Sequence, residues 1–220
     1  MDFQKVKAAI FDLDGTLLDT LADIGTGANL ALSRFGLPTH PVRAYRDYIG
    51  HGIRTLLRQA MPEQIDDEIR NQVIEFYLEY YPENCTVHTA YYPGVRELLK
   101  ALEEKGFYLA VISNKTERTA LKITDHYFAD VPWKFVWGNN GQRPLKPALE
   151  AGYLALEALN VKPEEILYVG DGDTDMEFAS KLGFIAAGVT WGYRDPDQLL
   201  AAGADFLCDS FAELQEKLGL

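Results

Sequence analysis

The chain has 220 residues, enough for one large domain or for one domain with an insert. Its hydrophobic content of 47% and charged content of 25% are typical of a globular protein. The formal net charge of −12 argues against nucleic acid or an anionic membrane as a partner, because both need a basic surface.

The cysteine content and the beginning of the chain predict a cytoplasmic protein. Cys85 and Cys208 are the only two cysteines, so no disulfide framework is expected and a reducing compartment fits. The first residues lead directly into a strand-like run, from which we expect no signal peptide. No apolar run approaches the length that spans a bilayer.

The first predicted element is a buried strand that ends in two carboxylates. A mostly apolar run over residues 6–11 is followed by Asp12 and Asp14, and then by Gly15. Side chains two apart on an extended chain share a face, so the two carboxylates can converge on one point. Gly15 allows a sharp turn beside them. Because converging carboxylates repel each other, this pattern predicts a site for a hard cation.

A helical block follows the first strand. No strand-like run is found between Asp19 and Thr86, and a Tyr-Tyr-Pro-Gly turn signal at residues 91–94 bounds the block. The segments with helical periodicity are 20–35, 53–60 and 65–77.

This arrangement predicts two domains. We expect a small helical cap domain over residues 19–86, inserted into a core domain made of residues 1–18 and 87–220.

From Val95 onward, helical and strand-like segments alternate. Helical patterns cover residues 95–102, 117–127 and 210–218, and two further stretches that end at Leu159 and Leu182. Strand-like runs cover residues 108–112, 135–137, 166–169, 184–189 and 204–207. The alternation predicts an α/β fold with a doubly wound parallel sheet.

Polar residues follow several of these predicted strands and one loop, at the positions where ligands bind in open α/β sheets. In chain order they are Asp12 and Asp14, Ser113 and Asn114, Lys146, and Asp171 with Asp175. This series resembles the four motifs of the haloacid dehalogenase superfamily, the first in its phosphatase form Asp-x-Asp-Gly-Thr. The resemblance covers essentially the whole chain and implies a Rossmann-like core domain.

The resemblance also implies roles for the acidic residues. Asp12 would be the nucleophile that becomes phosphorylated, and Asp14 the general acid and base. A Mg²⁺ cofactor would be held by a side-chain oxygen of Asp12, the backbone carbonyl of Asp14 and the side chain of Asp171. Asp175 would hold a metal-bound water or Lys146 without binding the metal itself.

The remaining motif residues would bind the phosphate. Ser113 and the Asn114 amide would hold phosphate oxygens at the start of a helix. Lys146 would offset negative charge during phosphoryl transfer.

A closer resemblance is to bacterial phosphoglycolate phosphatases. It rests on residues 48–54, 111–115 and 188–193, although Ser113 stands where that group usually has threonine. The serine keeps the hydroxyl group, and the last acidic motif differs from the usual form only in its middle residues. Within the predicted cap, Arg54 and His51 are candidates to bind a substrate carboxylate.

The sequence thus predicts a Mg²⁺-dependent phosphate monoester hydrolase that acts on a small phosphorylated metabolite, most specifically phosphoglycolate. A pyrophosphatase, a nucleotidase, a sugar-phosphate phosphatase and a β-phosphoglucomutase-like phosphotransferase stay open, as does a non-catalytic phosphate-binding regulatory module. A haloacid dehalogenase proper is disfavoured, because its reaction needs no Mg²⁺ and no second acid, whereas Asp14 and Asp171 are present. The sequence leaves the oligomeric state open.

Overall fold

The computed structural model describes residues 3–220. This part of the chain contains eight strands, and six of them form one parallel sheet. In chain order they are β1 (Ala8–Phe11), β2 (Leu18–Asp19), β3 (Ala90–Tyr91), β4 (Tyr108–Thr116), β5 (Trp133–Asn139), β6 (Ile166–Gly170), β7 (Ile185–Val189) and β8 (Phe206–Cys208). The six-stranded sheet has the order β5-β4-β1-β6-β7-β8, and all its neighbouring strands pair in parallel. Strands β2 and β3 form a separate antiparallel pair.

Helices cover both faces of the sheet. In chain order they are α1 (Leu21–Arg34), α2 (Ile53–Ala60), α3 (Asp67–Asn84), α4 (Val95–Glu104), α5 (Glu117–Phe128), α6 (Glu150–Leu159), α7 (Asp173–Leu182), α8 (Pro196–Ala201) and α9 (Phe211–Leu218). A 3₁₀ helix lies at Val42–Asp47. No helix among residues 3–220 is both long enough and apolar enough to cross a membrane.

Alternate residues of the central strand face two hydrophobic clusters. Ala9 and Phe11 of β1 belong to one cluster, and Ala8 and Ile10 belong to the other. All four are fully buried, which is the pattern of a strand in the middle of a parallel sheet covered on both faces. The predicted doubly wound α/β fold is therefore confirmed.

Helices α1 to α3 follow β2 and precede β3, so they form one continuous helical segment. Helix α1 packs against α3 and against the 3₁₀ helix, and buried Leu32, Val73 and Tyr77 belong to the hydrophobic cluster that contains Phe11. The pairing of Leu18 with Tyr91 joins the two ends of the segment. Its division from the core as a cap domain stays a prediction.

Three local features differ from the expectations. Strand β4 continues through Ser113 and Asn114 to Thr116, so these two residues lie in a strand and not at the start of a helix. The short pair β2 and β3 was not predicted. Neither was helix α8, which begins with a proline after Asp195, where the fixed proline φ is compatible with a first helical turn.

Candidate active site

A cleft at the carboxyl ends of β1, β4 and β6 brings the sheet and the helical segment together. All seven predicted motif residues line it, and these are Asp12, Asp14, Ser113, Asn114, Lys146, Asp171 and Asp175. The helical segment contributes a largely apolar wall, which includes Ile49, Ile53, Leu56, Tyr77 and Tyr81. We call the charged side formed by the sheet the floor of the cleft, and the largely apolar side formed by the helical segment its roof.

Lys146 lies between two of the carboxylates on this floor. Its Nζ donates to Asp12 Oδ1 at 2.9 Å, to Asp175 Oδ1 at 2.6 Å and to the Tyr168 hydroxyl at 2.7 Å. The Lys146 side chain is 2% exposed, so the lysine is held in one position beside Asp12. The other oxygen of Asp175 accepts from the backbone N–H of Gly172 at 2.9 Å.

Lys146 is one cation beside three acidic side chains, Asp12, Asp171 and Asp175. Burial raises the pKa of Asp12 to about 6, with Lys146 lowering it and Asp175 and Asp14 raising it. Burial, and then Asp175 and Asp12, raise the pKa of Asp171 well above its usual value. Removing these groups from water and placing like charges together both disfavour ionisation, so the cluster favours an added positive charge.

Asp171 has hydrogen-bond donors but no cation among its contacts in the described chain. Its oxygens accept from Thr16 Oγ1 and from the backbone N–H of Tyr193, each at 2.8 Å. Gly15 has a φ of +81°, and a Cβ there would collide with the Asp171 carboxylate. The glycine of the first motif is thus needed for the turn to approach this acid.

Three of these carboxylates are close enough to share a cation. Ligand oxygens of Asp12, Asp171 and Asp175 lie within 4.8 Å of one another. Carboxylate oxygens are the ligands that Mg²⁺ prefers, and their uncompensated charge fits a divalent ion. The Asp14 side chain is not part of this group.

The Asp14 carboxylate instead lies between Lys115 and Thr20. Lys115 Nζ donates to its two oxygens at 2.7 and 3.0 Å, and Thr20 Oγ1 donates to Oδ1 at 2.6 Å. Lys115 also donates to the Tyr81 hydroxyl at 3.0 Å. These partners were not predicted, although Lys115 directly follows the predicted residues Ser113 and Asn114 at the end of β4.

The other strand-end residues form a connected group. Ser113 is 6% exposed and lines the cleft. The Asn114 side chain donates to the Gly50 carbonyl at 2.7 Å and accepts from the backbone N–H of Lys146 at 2.8 Å. Asn114 thereby fixes the loop that carries Lys146 and contacts the helical segment.

The two candidates from the helical segment lie elsewhere. Arg54 is exposed, and His51 Nε2 lies 3.6 Å from Asp173 Oδ2; neither is among the residues that line the cleft. Their role in substrate binding stays a prediction. The arginine that does line the cleft is Arg194, which the sequence analysis did not single out.

Comparisons with known proteins agree with this geometry. Residues 9–189 match the model of the family described as haloacid dehalogenase-like hydrolase. A phosphoglycolate phosphatase from Vibrio vulnificus is 32% identical over 225 residues, covering 97% of this chain and 96% of the relative. One from Aquifex aeolicus is 34% identical over 207 residues, covering 92% and 95%.

Solved structures give the same result. The crystal structure of a predicted phosphoglycolate phosphatase from Haemophilus somnus has a TM-score of 0.90 and 27% identity, and the match covers 97% of this chain and 98% of that one. With a family match over most of its length, this chain belongs to the haloacid dehalogenase-like hydrolases and is a phosphatase of that family.

Proposed function

We propose that the protein is a Mg²⁺-dependent phosphatase that hydrolyses 2-phosphoglycolate through an aspartyl-phosphate on Asp12. The observation that carries the chemistry is the position of Asp12, which lies beside the Lys146 ammonium and within the group of carboxylates that fits a divalent cation. The full-length relatives named phosphoglycolate phosphatase support the choice of substrate.

Two carboxylates divide the chemistry between them. An oxygen of Asp12 attacks the phosphorus atom, the bond from phosphorus to the ester oxygen breaks, and Asp14 gives a proton to the departing glycolate oxygen. Asp14 then takes a proton from water, whose oxygen attacks the phosphorus and releases phosphate and free Asp12. Both residues are less than one-tenth exposed, which keeps the reacting groups largely out of bulk water.

The proposed Mg²⁺ would be held by side-chain oxygens of Asp12 and Asp171 and by the backbone carbonyl of Asp14. When bound, it supplies positive charge that offsets the repulsion between a carboxylate nucleophile and an anionic phosphate. Asp175 would not bind the ion directly. Its carboxylate accepts from Lys146 Nζ and from the backbone N–H of Gly172, which fix its position next to the ligands.

Phosphate binding would fall to the other predicted motif residues that line the cleft. The Ser113 hydroxyl and the backbone amide of Asn114 would donate to phosphate oxygens, and Lys146 would balance the charge that develops during transfer. Residues 19–86 would act as a cap domain, whose apolar wall excludes water and selects the leaving group. Arg54 and His51 stay candidates for that selection.

The test of this proposal measures kcat/KM for 2-phosphoglycolate, p-nitrophenyl phosphate, pyrophosphate, a nucleoside monophosphate and a hexose phosphate, with and without Mg²⁺. We expect the highest kcat/KM with 2-phosphoglycolate and a loss of activity on chelation that Mg²⁺ reverses. Asp12→Asn should reduce kcat at least about 1,000-fold, because asparagine fills the same volume but is no nucleophile. The exposed Asp125→Asn is the matched control and should leave kcat unchanged.

Each part of the proposal can fail separately. A different preferred substrate would overturn the phosphoglycolate assignment, and activity that survives exhaustive chelation would overturn the metal site. An Asp12→Asn variant that keeps about a tenth of the wild-type kcat would exclude Asp12 as the nucleophile.

A further inference from the structure

The cleft holds few positive charges with which to meet an anionic leaving group. Among the described residues that line it, the cations are Lys115, Lys146 and Arg194. Lys146 is enclosed between Asp12 and Asp175, where the phosphoryl group is transferred. It is therefore committed to the reacting end of the substrate.

Arg194 is committed to the fold. Its Nη2 donates to the Ile49 carbonyl at 2.6 Å, its Nη1 to the Arg46 carbonyl at 3.1 Å, and its Nε to Asp173 Oδ1 at 3.3 Å. Each nitrogen of the guanidinium group thus has a protein acceptor. Lys115 differs from Arg194 because its partners, Asp14 and Tyr81, are side chains that themselves line the cleft and not backbone carbonyls.

Lys115 lies next to the group that would protonate the leaving oxygen. Its Nζ is 2.7 Å from Asp14 Oδ1, and it donates to Tyr81 Oη at 3.0 Å. A lysine has donors only, so the Tyr81 hydroxyl accepts in that contact and its own hydrogen stays available. Within residues 3–220, that hydrogen has no acceptor among the hydrogen bonds of Tyr81, and Tyr81 lines the cleft.

The substrate's shape brings its carboxylate to this pair. In 2-phosphoglycolate the carboxylate carbon is two bonds from the ester oxygen. An ester oxygen in hydrogen-bond contact with Asp14 therefore lies so close to Lys115 that the carboxylate can reach both the ammonium and the free hydroxyl hydrogen. A cation and a neutral donor together match the two oxygens of a carboxylate.

We infer that Lys115 and Tyr81 bind the carboxylate of the leaving group and so determine the specificity of the enzyme for short 2-phospho-carboxylates. This inference rests on the proposed function and deepens it. In this inference the buried Lys115, and not the exposed Arg54, is the cation that binds the leaving group. The specificity contact then lies at the junction between β4 and α3, where the core and the helical segment meet.

The experiment compares 2-phosphoglycolate with 2-hydroxyethyl phosphate, which has a hydroxymethyl group in place of the carboxylate. Lys115→Met should lower kcat/KM for both substrates, because Asp14 loses a partner, but about 30-fold more for 2-phosphoglycolate. Tyr81→Phe leaves the contact between Lys115 and Asp14 in place and should lower kcat/KM about 5-fold for 2-phosphoglycolate alone. Lys115→Arg should restore part of the preference.

Inhibition by the product separates recognition from the positioning of Asp14. The inhibition constant of glycolate should rise about 30-fold in Lys115→Met, while that of inorganic phosphate stays within about 2-fold. Lys105→Met, at an exposed lysine, and Tyr80→Phe, outside the cleft lining, are the matched controls and should behave as wild type.

Two results would overturn the inference. One is an equal loss for both substrates in Lys115→Met with unchanged glycolate inhibition, which would leave Lys115 as a positioning residue for Asp14. The other is a selective loss for 2-phosphoglycolate in Arg54→Ala or His51→Ala and none in Tyr81→Phe. A wild-type enzyme with no preference between the two substrates would instead overturn the proposed function.

Discussion

At the scale of single residues, Asp171 provides the sharpest test of the proposed metal site. Mg²⁺ at about 100 times its dissociation constant should raise the melting temperature of the wild type by about 5–10 °C, because the ion binds only the folded state. Asp171→Asn should lose most of this rise, because a neutral amide replaces a charged ligand. The measurement is thermal unfolding followed by circular dichroism, with and without Mg²⁺.

Asp173→Asn is the matched control for this prediction. Asp173 is only two residues away but lies outside the carboxylate group and pairs with Arg194. It should keep the full response to Mg²⁺. If Mg²⁺ raised the melting temperature of Asp171→Asn as much as that of the wild type, Asp171 would not be a metal ligand.

The four predicted acids all line the cleft, and the predicted pairing of Asp175 with Lys146 is present, whereas the pairing of Asp14 with Lys115 was not predicted. Asp12, Asp14 and Asp171 could be predicted because parallel strands end at one edge of the sheet. Lys115 could not be paired with Asp14, since strand periodicity gives the face of a side chain and not its contacts. Arg54 is a candidate because of its charge and its place in the predicted cap, although the apolar stripe of α2, with Leu56 and Leu57 buried, leaves it outside the buried face.

At the scale of elements, the contact between β5 and the junction of β4 with α5 depends on Gly138. A Cβ at this position would lie 2.5 Å from Glu117 Cα and 2.7 Å from the Lys115 carbonyl oxygen. These are backbone atoms, which cannot yield as a flexible side chain can. We expect Gly138→Ala to lower the free energy of unfolding by about 2 kcal/mol, measured by urea denaturation.

Lys134→Arg is the control on the same strand, because Lys134 is exposed and arginine keeps a cation over the Tyr108 ring, and it should change the free energy of unfolding by less than about 0.5 kcal/mol. The backbone shift in Gly138→Ala should also lower kcat/KM, since Lys115 lies on the displaced segment. If Gly138→Ala had the wild-type free energy of unfolding, β5 could move away from the backbone of Lys115 and Glu117 without cost, and the close contact would not be needed for stability.

Element prediction succeeded where a segment was long enough to show a period. Helix α1 and strand β6 were predicted within one or two residues, because a buried face repeats along them. Strands β2 and β3 have two residues each and show no period at all. They form through pairing between residues about seventy positions apart, which periodicity does not detect.

At the scale of the whole molecule, two arginines join the helical segment to the loop that follows β7. Arg46 Nε donates to the Tyr193 carbonyl at 2.7 Å, and Arg194 donates to the carbonyls of Ile49 and Arg46. The alternation of strands and helices predicted the sheet, but these contacts join residues nearly 150 positions apart. The placement of the helical segment over the cleft therefore had to come from the structure.

The last prediction concerns this connection. Arg194 is 8% exposed, and Arg194→Met would leave the carbonyls of Ile49 and Arg46 without their donor. We expect faster amide hydrogen exchange over residues 42–53 and a KM for p-nitrophenyl phosphate raised about 10-fold, because the roof of the cleft opens more often. Arg118→Met, at an exposed arginine paired with Glu83, should change neither quantity. If Arg194→Met kept the wild-type exchange rates over residues 42–53, the segment would be held by its apolar contacts with the core, and the arginine would contribute little to closing the cleft.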